Sequence, residues 1–454
     1  MAGRGRLAGV RVVVAGAGFA GLAAAWALDQ DGADVFVVEA RDRVGGRVWT
    51  IRDGFAGQHA EAGADLIDSD QVALVKLAQD LSLRTTRILR RGFAFYGLNR
   101  AGRMTVQPMP GAFTSTARLL DGMIRDYKVG EQRWDGAVAD RLARRSVLDW
   151  LNEVKADQAA VQRFRGLRGL FLADPEQLSL LALVDFFATD PWAKETETLR
   201  LVEGNDRLAT EIAARLTRPP ILAAIVRRVR QRATGVVVSV DGRDGLTEID
   251  ADYFVSALPA STLRDVVFFP ALPAATRDAV THLRYGAATR LLMQFDTRFW
   301  KKRGRPNAFG SAQATGAIWD GNEQQRGRRG ILSALAGGRA SMELQKLLAA
   351  RTADGVAASL TWLGRPSKVV AARAITWEDD QWARGGYAFF DPSFSPLWRD
   401  LLARPVGRLV FAGEHTSVRW QGYMNGAVET GQRAAAEVAA LAAGAASAGP
   451  DSGN

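Results

Sequence analysis

Gly16, Gly18 and Gly21 fall in GAGFAGLAAAWAL, directly after the β-branched run VRVVVA. That order predicts a buried parallel strand, a tight turn and a helix from about Phe19 to Leu28. The first glycine permits the turn, the second lets backbone approach a pyrophosphate, and the third lets helix and strand pack. The helix, with Phe19 and Ala20 in its first turn, aims its positive end at the same phosphates. A second apolar run, DGADVFVVEA, carries Glu39, 18 residues past Gly21, where a carboxylate can accept ribose hydroxyls. Together these residues specify a dinucleotide site.

Which dinucleotide is decided by ARDRVGGRVWT, residues 40–50. Here Ala40, Arg41, Gly45, Gly46 and Arg47 follow the ribose-binding acid, and a nicotinamide dehydrogenase has no need of them. Gly45 and Gly46 let backbone come close to a cofactor, and the arginines add charge near a diphosphate. With this segment the sequence resembles the FAD-dependent amine oxidase superfamily, which includes monoamine, polyamine and L-amino-acid oxidases. The resemblance covers nearly the whole chain and is strongest over residues 10–67 and 377–437.

The resemblance implies an α/β fold, α+β over the chain as a whole. A Rossmann-like FAD-binding domain of the GR2 type is interleaved with a substrate domain of mixed sheet plus helices. Residues 1–75, 200–289 and 376–440 are expected in the first, and 76–199 and 290–375 in the second. The substrate domain needs about six strands, with helices from stretches such as SVLDWLNEVKADQAAVQRFRGLRGLF. VVVSVDGRDGLTEIDADYFVSALPAS reads as a hairpin turning at Asp241–Gly245 and a further strand. RLVFAGEHT is the returning strand, GAVETGQRAAAEVAAL the closing helix, and 441–454 a flexible tail.

The resemblance also assigns roles. In AEAGADLI, Gly63, Ala64 and Asp65 pass the flavin ring with room for close approach. Glu61 stands where polyamine oxidases often have an acid facing the active site; a buried structural pair is the other reading. Residues 201–229 resemble the family's GGxxxL helix and following strand, with Glu203 replacing one glycine and Val226 holding the adenosine half. Gly413 and Glu414 meet the ribityl and phosphate region, and Gly422, Tyr423 and Met424 present backbone to the flavin's pyrimidine edge. Trp377 borders the ring, and Tyr387 with Tyr423 forms a two-ring aromatic cage for an amine.

The implied reaction moves hydride from the α-carbon of an amine to flavin N5. The resulting imine is hydrolysed, and dioxygen reoxidises the flavin to give hydrogen peroxide. An amine catabolic or secondary-metabolite pathway is the expected setting. Two positions depart from the family. Leu66 stands where venom-type L-amino-acid oxidases place an arginine for the substrate carboxylate. Arg290, in LRYGAATRLLMQFDTRFW, replaces a lysine that holds a water against N5. An arginine cannot position one water as an ammonium does; it can hold a carbonyl or carboxylate, with slower flavin reoxidation as a consequence. That altered site also leaves a flavin-dependent desaturase, or an amide or secondary-amine oxidase, as an alternative. A non-catalytic FAD-binding protein is the alternative from another class.

The 454 residues are 47% hydrophobic, enough for a large core. Only eight of the 59 basic residues are lysines, and they are scattered, so the net charge of +10 does not form a nucleic-acid footprint. With no cysteine, disulfides, iron–sulfur clusters and a cysteinyl flavin link are excluded, and FAD is expected to be held non-covalently. His59, His282 and His415 show no metal spacing, so no metal is expected. No apolar stretch reaches about 18 residues, and no leader pattern precedes the first strand. The expectation is a cytoplasmic enzyme without membrane contact, working on a small-molecule amine and dioxygen as a monomer or homodimer.

Overall fold

The computed structural model describes residues 5–99, 101–108, 111–188 and 196–447. One sheet has the order Asp34–Val38, Arg11–Ala15, Tyr253–Ser256, Leu409–Phe411, with every neighbouring pair parallel. Val12 and Val14 pack on the helix side with Leu22, Ala25 and Val428. Val13 and Ala15 pack on the opposite side with Val229, Val236 and Val238. Both faces are covered, so the strand reads as an apolar run without alternation.

The helix Phe19–Gln30 follows the first strand as expected. A Cβ added at Gly21 would lie 1.8 Å from the Gly16 carbonyl oxygen, so the third glycine is what lets the helix sit on the turn. The final helix, Met424–Ser447, runs along it, and at Gly431 an added Cβ would come within 2.2 Å of the Ala20 carbonyl oxygen. The expected flexible tail needs correcting, because residues 441–447 continue this alanine-rich helix. Residues 448–454 lie outside the described residues.

A second sheet, ordered Gly245–Ala251, Val236–Gly242, Ile225–Gln231, Val267–Phe269, contains the predicted hairpin. Gly242 pairs with Gly245, leaving Arg243 and Asp244 as a two-residue connection. The remaining large sheet has seven strands, in the order Val369–Thr376, Ala288–Phe295, Gly330–Gly337, Ala317–Asp320, Ala308–Ser311, Phe93–Leu98, Met104–Pro108. Helices between Gly111 and Ala188 pack beside it; one, Val147–Glu153, opens with a reciprocal cap between Ser146 and Asp149.

Strand Ala288–Phe295 is buried along its whole length. Leu291, Met293 and Phe295 pack with Ala340, Leu344 and Val356 of the helix Arg339–Ala358. The alternate residues face the N-terminal segment: Leu292 packs on Phe55 and Ala60, and Gln294 donates to the Phe55 carbonyl. The two-residue period therefore turns Arg290 toward the dinucleotide half of the molecule.

Candidate active site

A cavity of about 1190 Å³ runs between the carboxyl ends of the parallel strands and the seven-stranded sheet. It exceeds the usual size for a drug-like ligand and has room for a dinucleotide with a small substrate beside it. Gly16, Gly18, Phe19, Ala20, Glu39, Ala40, Arg41, Gly45, Gly46 and Arg47 line it. So do Gly63, Ala64, Asp65, Val226, Gly413, Glu414, Gly422 and Met424, together with Arg290, Trp377, Tyr387 and Tyr423. Two expected site residues do not. Gly21 is taken up by packing, and Glu61 lies behind the wall.

The residues present fit FAD. A Cβ on Gly18 would meet nothing within 4 Å, so the second glycine opens on the cavity. No side chain caps the helix that follows, which leaves its first N–H groups available to phosphate oxygens. The Glu39 carboxylate is fixed by the backbone N–H groups of Ala17 (2.7 Å) and Arg41 (2.8 Å), and each oxygen keeps a lone pair for a hydroxyl. The Gly45 N–H donates to the Ala17 carbonyl at 2.8 Å, which seats the second glycine pair against the first loop.

The arginines beside that pair, expected to add charge near the diphosphate, line the cavity and each also holds a carboxylate. Arg41 is paired with Asp380, and Arg47 with Glu414 at 3.0 Å. Glu414 also accepts from the Gly422 N–H at 2.9 Å, so this ion pair ties the glycine loop to the turn before the last helix. Close approach at Gly63 likewise has an internal cause: an added Cβ would lie 1.9 Å from the Arg47 carbonyl oxygen and 3.2 Å from the Trp377 ring.

Trp377 is held by its Nε1–H on the Ala62 carbonyl at 3.1 Å. The Tyr387 hydroxyl donates toward the carbonyls of Gly169 (2.9 Å) and Leu170 (3.0 Å), which fixes its ring. Gly422 abuts that ring, with an added Cβ only 3.2 Å from Tyr387 Cδ2, and Tyr423 follows in the chain. Tyr423 packs edge-on against Trp420 with ring centres 5.5 Å apart. Burial pushes both phenols above their ordinary pKa, helped at Tyr387 by neighbouring Tyr423 and at Tyr423 by Asp68 and Asp70. Both therefore present neutral rings.

The cavity wall belongs to a buried polar cluster that continues behind it. Asp65 accepts from Arg200 Nε and from Trp319 Nε1, each at 2.6 Å. Glu61 accepts from Thr50 Oγ1 at 2.8 Å and from the Asn205 N–H at 3.0 Å. Its expected position facing the substrate is thus wrong, since strand pairing of Thr50 with Glu61 turns the carboxylate inward. Burial first, then the charge of Asp65, pushes Glu61 up to about 8. Arg290 donates from Nη1 to Ser333 Oγ (3.0 Å) and from Nη2 to the Gly63 carbonyl (2.8 Å), with its guanidinium 4.6 Å from the Trp319 ring centre. Trp319, Ser333 and Arg200 carry no local motif, and only their long-range contacts reveal them. Among the described residues, no group of His, Asp or Glu side chains is arranged to hold a metal ion.

A family model described as flavin containing amine oxidoreductase matches residues 19–439. A Mycobacterium tuberculosis protein provisionally named flavin-containing monoamine oxidase AofH is 30% identical over 456 residues, covering 95% of this chain and 97% of that one. The cyclohexylamine oxidase of Brevibacterium oxydans IH-35A superposes with a TM-score of 0.83 at 25% identity, over 96% of this chain and 99% of the other. Putrescine oxidase bound to putrescine superposes with a TM-score of 0.83 at 26% identity, over 95% and 99%. The match thus takes in the glycine loop's helix, the cavity walls and the closing helix in one span, and the chain belongs to the flavin containing amine oxidoreductase family, as an FAD-dependent amine oxidase.

Proposed function

We propose that the protein oxidises a small or medium amine at its α-carbon, giving an imine and hydrogen peroxide, with the aromatic faces of Tyr387 and Tyr423 presenting the amine. The observation that carries this is one continuous cavity joining Gly18 and Glu39 to Trp377, Tyr387 and Tyr423. In this reading residues 1–75, 200–289 and 376–440 hold the cofactor, and 76–199 and 290–375 face the substrate. When bound, FAD supplies the hydride acceptor and passes the electrons on to dioxygen.

The chain's own residues bind, orient and exclude water. Gly16 makes the turn, its N–H held by the Val38 carbonyl, so that Gly18, Phe19 and Ala20 would receive the pyrophosphate on backbone N–H groups; Glu39 would take ribose hydroxyls, and Val226 would meet the adenosine half. Gly413 and Glu414 would meet the ribityl and phosphate region, and Gly422, Tyr423 and Met424 would offer backbone at the start of the last helix, whose dipole favours negative charge there. Leu172, Ala288 and Leu335 make an apolar surround for Trp377 and Tyr387, which strengthens electrostatic contacts with the substrate. With no cysteine in the chain, the cofactor is held non-covalently.

Peroxide release from the purified yellow protein across a panel of primary, secondary and diamine substrates tests the reading. A flavoprotein that yields no peroxide with any amine would remove it. Among the described residues no helix is long and apolar enough to cross a membrane. The cytoplasm is the location we propose and a homodimer the assembly; cell fractionation and sedimentation check them separately.

A further inference from the structure

Among the described residues no carboxylate lies at ion-pair distance from the buried cation Arg290. It is 4% exposed and lines the cavity, and its two described hydrogen bonds go to a hydroxyl and a carbonyl. Its Nε–H has no partner among the described residues. The nearby carboxylates are engaged elsewhere: Asp65 by Arg200 and Trp319, and Glu61 by Thr50 and Asn205. Burial pulls the guanidinium below its ordinary pKa, yet an arginine stays charged at any working pH.

The surroundings make that charge unusual. Leu335 is its cross-strand partner, Ala317 pairs with Leu335 in turn, and Leu172 and Ala288 pack with Leu335 beside Tyr387. An uncompensated ion among such groups is costly, and removing a counterion from a buried pair is strongly destabilising. The fold nevertheless grips the guanidinium on three sides, through Ser333, the Gly63 carbonyl and the Trp319 ring. A guanidinium has five N–H donors, so a held fork with donors to spare is suited to a planar anion. Tyr387 is close enough to Arg290 for each to influence the other's ionisation. A ligand with its amine on the tyrosine faces and an anion on Arg290 therefore has the two groups a few bonds apart.

We propose that Arg290 is a specificity-determining residue that binds the carboxylate of the substrate, so that this enzyme takes amines carrying a carboxylate on or next to the oxidised carbon. This rests on the amine oxidase reading above and narrows its substrate class to amino acids and their N-substituted relatives.

The test uses the purified holoenzyme with benzoate and benzamide as probes, followed by perturbation of the flavin absorbance. The wild type is expected to bind benzoate at least about tenfold more tightly than benzamide, the range of a charge-assisted hydrogen bond. In Arg290→Gln the preference collapses while benzamide affinity and FAD content persist, and Arg290→Lys keeps part of it. In turnover, the wild type prefers phenylalanine to phenethylamine in kcat/KM, and Arg290→Gln reverses the order, a change in selectivity that mere loosening of the fold would not produce. Equal binding of the two probes by wild type, absence of benzoate binding, or a preference that survives in Arg290→Gln overturns the proposal. If Arg290→Gln does not fold, the wild-type comparison and Arg290→Lys still decide. A yellow enzyme that oxidises phenethylamine with no carboxylate preference sinks this inference alone. A protein that neither holds FAD nor oxidises any amine sinks the functional reading as well.

Discussion

Arg200 and Asp65 form an ion pair at 2.6 Å, with about 1% of either side chain exposed. The second Asp65 oxygen takes the Trp319 indole N–H, so the pair joins the cavity wall to the seven-stranded sheet. Asp65→Asn leaves Arg200 buried and charged without its counterion and is expected to cost about 3–5 kcal/mol. Urea unfolding of the holoprotein checks it; a loss below about 1 kcal/mol would show that another group compensates the arginine.

Glu61 gives a pH dependence of definite sign. Its pKa is pushed from 4.5 to about 8, by burial and then by Asp65. Over that interval the folded chain holds a proton that the unfolded chain releases, so this contribution is full below about pH 4.5 and is lost as pH rises toward 8. The slope is at most about 1.4 kcal/mol per pH unit. Comparing urea midpoints of wild type and Glu61→Gln from pH 5 to 8 isolates it, because other titrating groups, such as buried His415, are common to both. The variant should gain on wild type as pH rises; parallel curves would mean that Glu61 is ionised in the fold.

The glycine loop was legible because its rule is local: three glycines, one strand and one helix within a few turns of chain. Glu61 was not, because the direction of its side chain depends on Thr50, 11 residues away, and Asn205, 144 residues away. The same distance problem hid Trp319 and Ser333, whose meeting with Arg290 needs three strands to pair in register. The strand Ala288–Phe295 was recognised through the family resemblance of residues 283–300, and in the structure its Arg290 lines the cavity. The ion pairs of Arg41 and Arg47 were invisible for a related reason, since their partners Asp380 and Glu414 come from the far end of the chain.

Tyr387→Ala and Tyr423→Ala are each expected to lower kcat/KM by about 3- to 30-fold, the range of an amine on an aromatic face, with FAD content nearly unchanged. Tyr387→Phe keeps the face, loses only the hydrogen bonds to Gly169 and Leu170, and should cost less. Flavin content by absorbance alongside turnover separates the cases. Parallel loss of both would make the rings structural.

Gly21→Ala puts a methyl group 1.8 Å from the Gly16 carbonyl oxygen, in a helix-to-strand contact that has no slack. Overpacking of this kind costs about 1–3 kcal/mol, and the shift of the helix end should weaken FAD retention. Thermal unfolding with and without added FAD measures both. An unchanged melting temperature and full flavin content would show that the turn can yield.

The parallel sheet has an implication for how the protein is made. Of its middle strands, Arg11–Ala15 waits for Tyr253–Ser256 and Tyr253–Ser256 for Leu409–Phe411, while the helix Phe19–Gln30 waits for the helix that begins at Met424. A ribosome adds roughly 5–20 residues per second, so the first strand and helix exist for about 20–80 seconds before the elements that cover them have been translated. During that interval Val12, Val14 and Leu22, all completely buried in the finished molecule, have no permanent cover. The nascent chain thus keeps apolar surface uncovered for most of its synthesis, and the cofactor loop, although encoded first, is among the last parts to be completed.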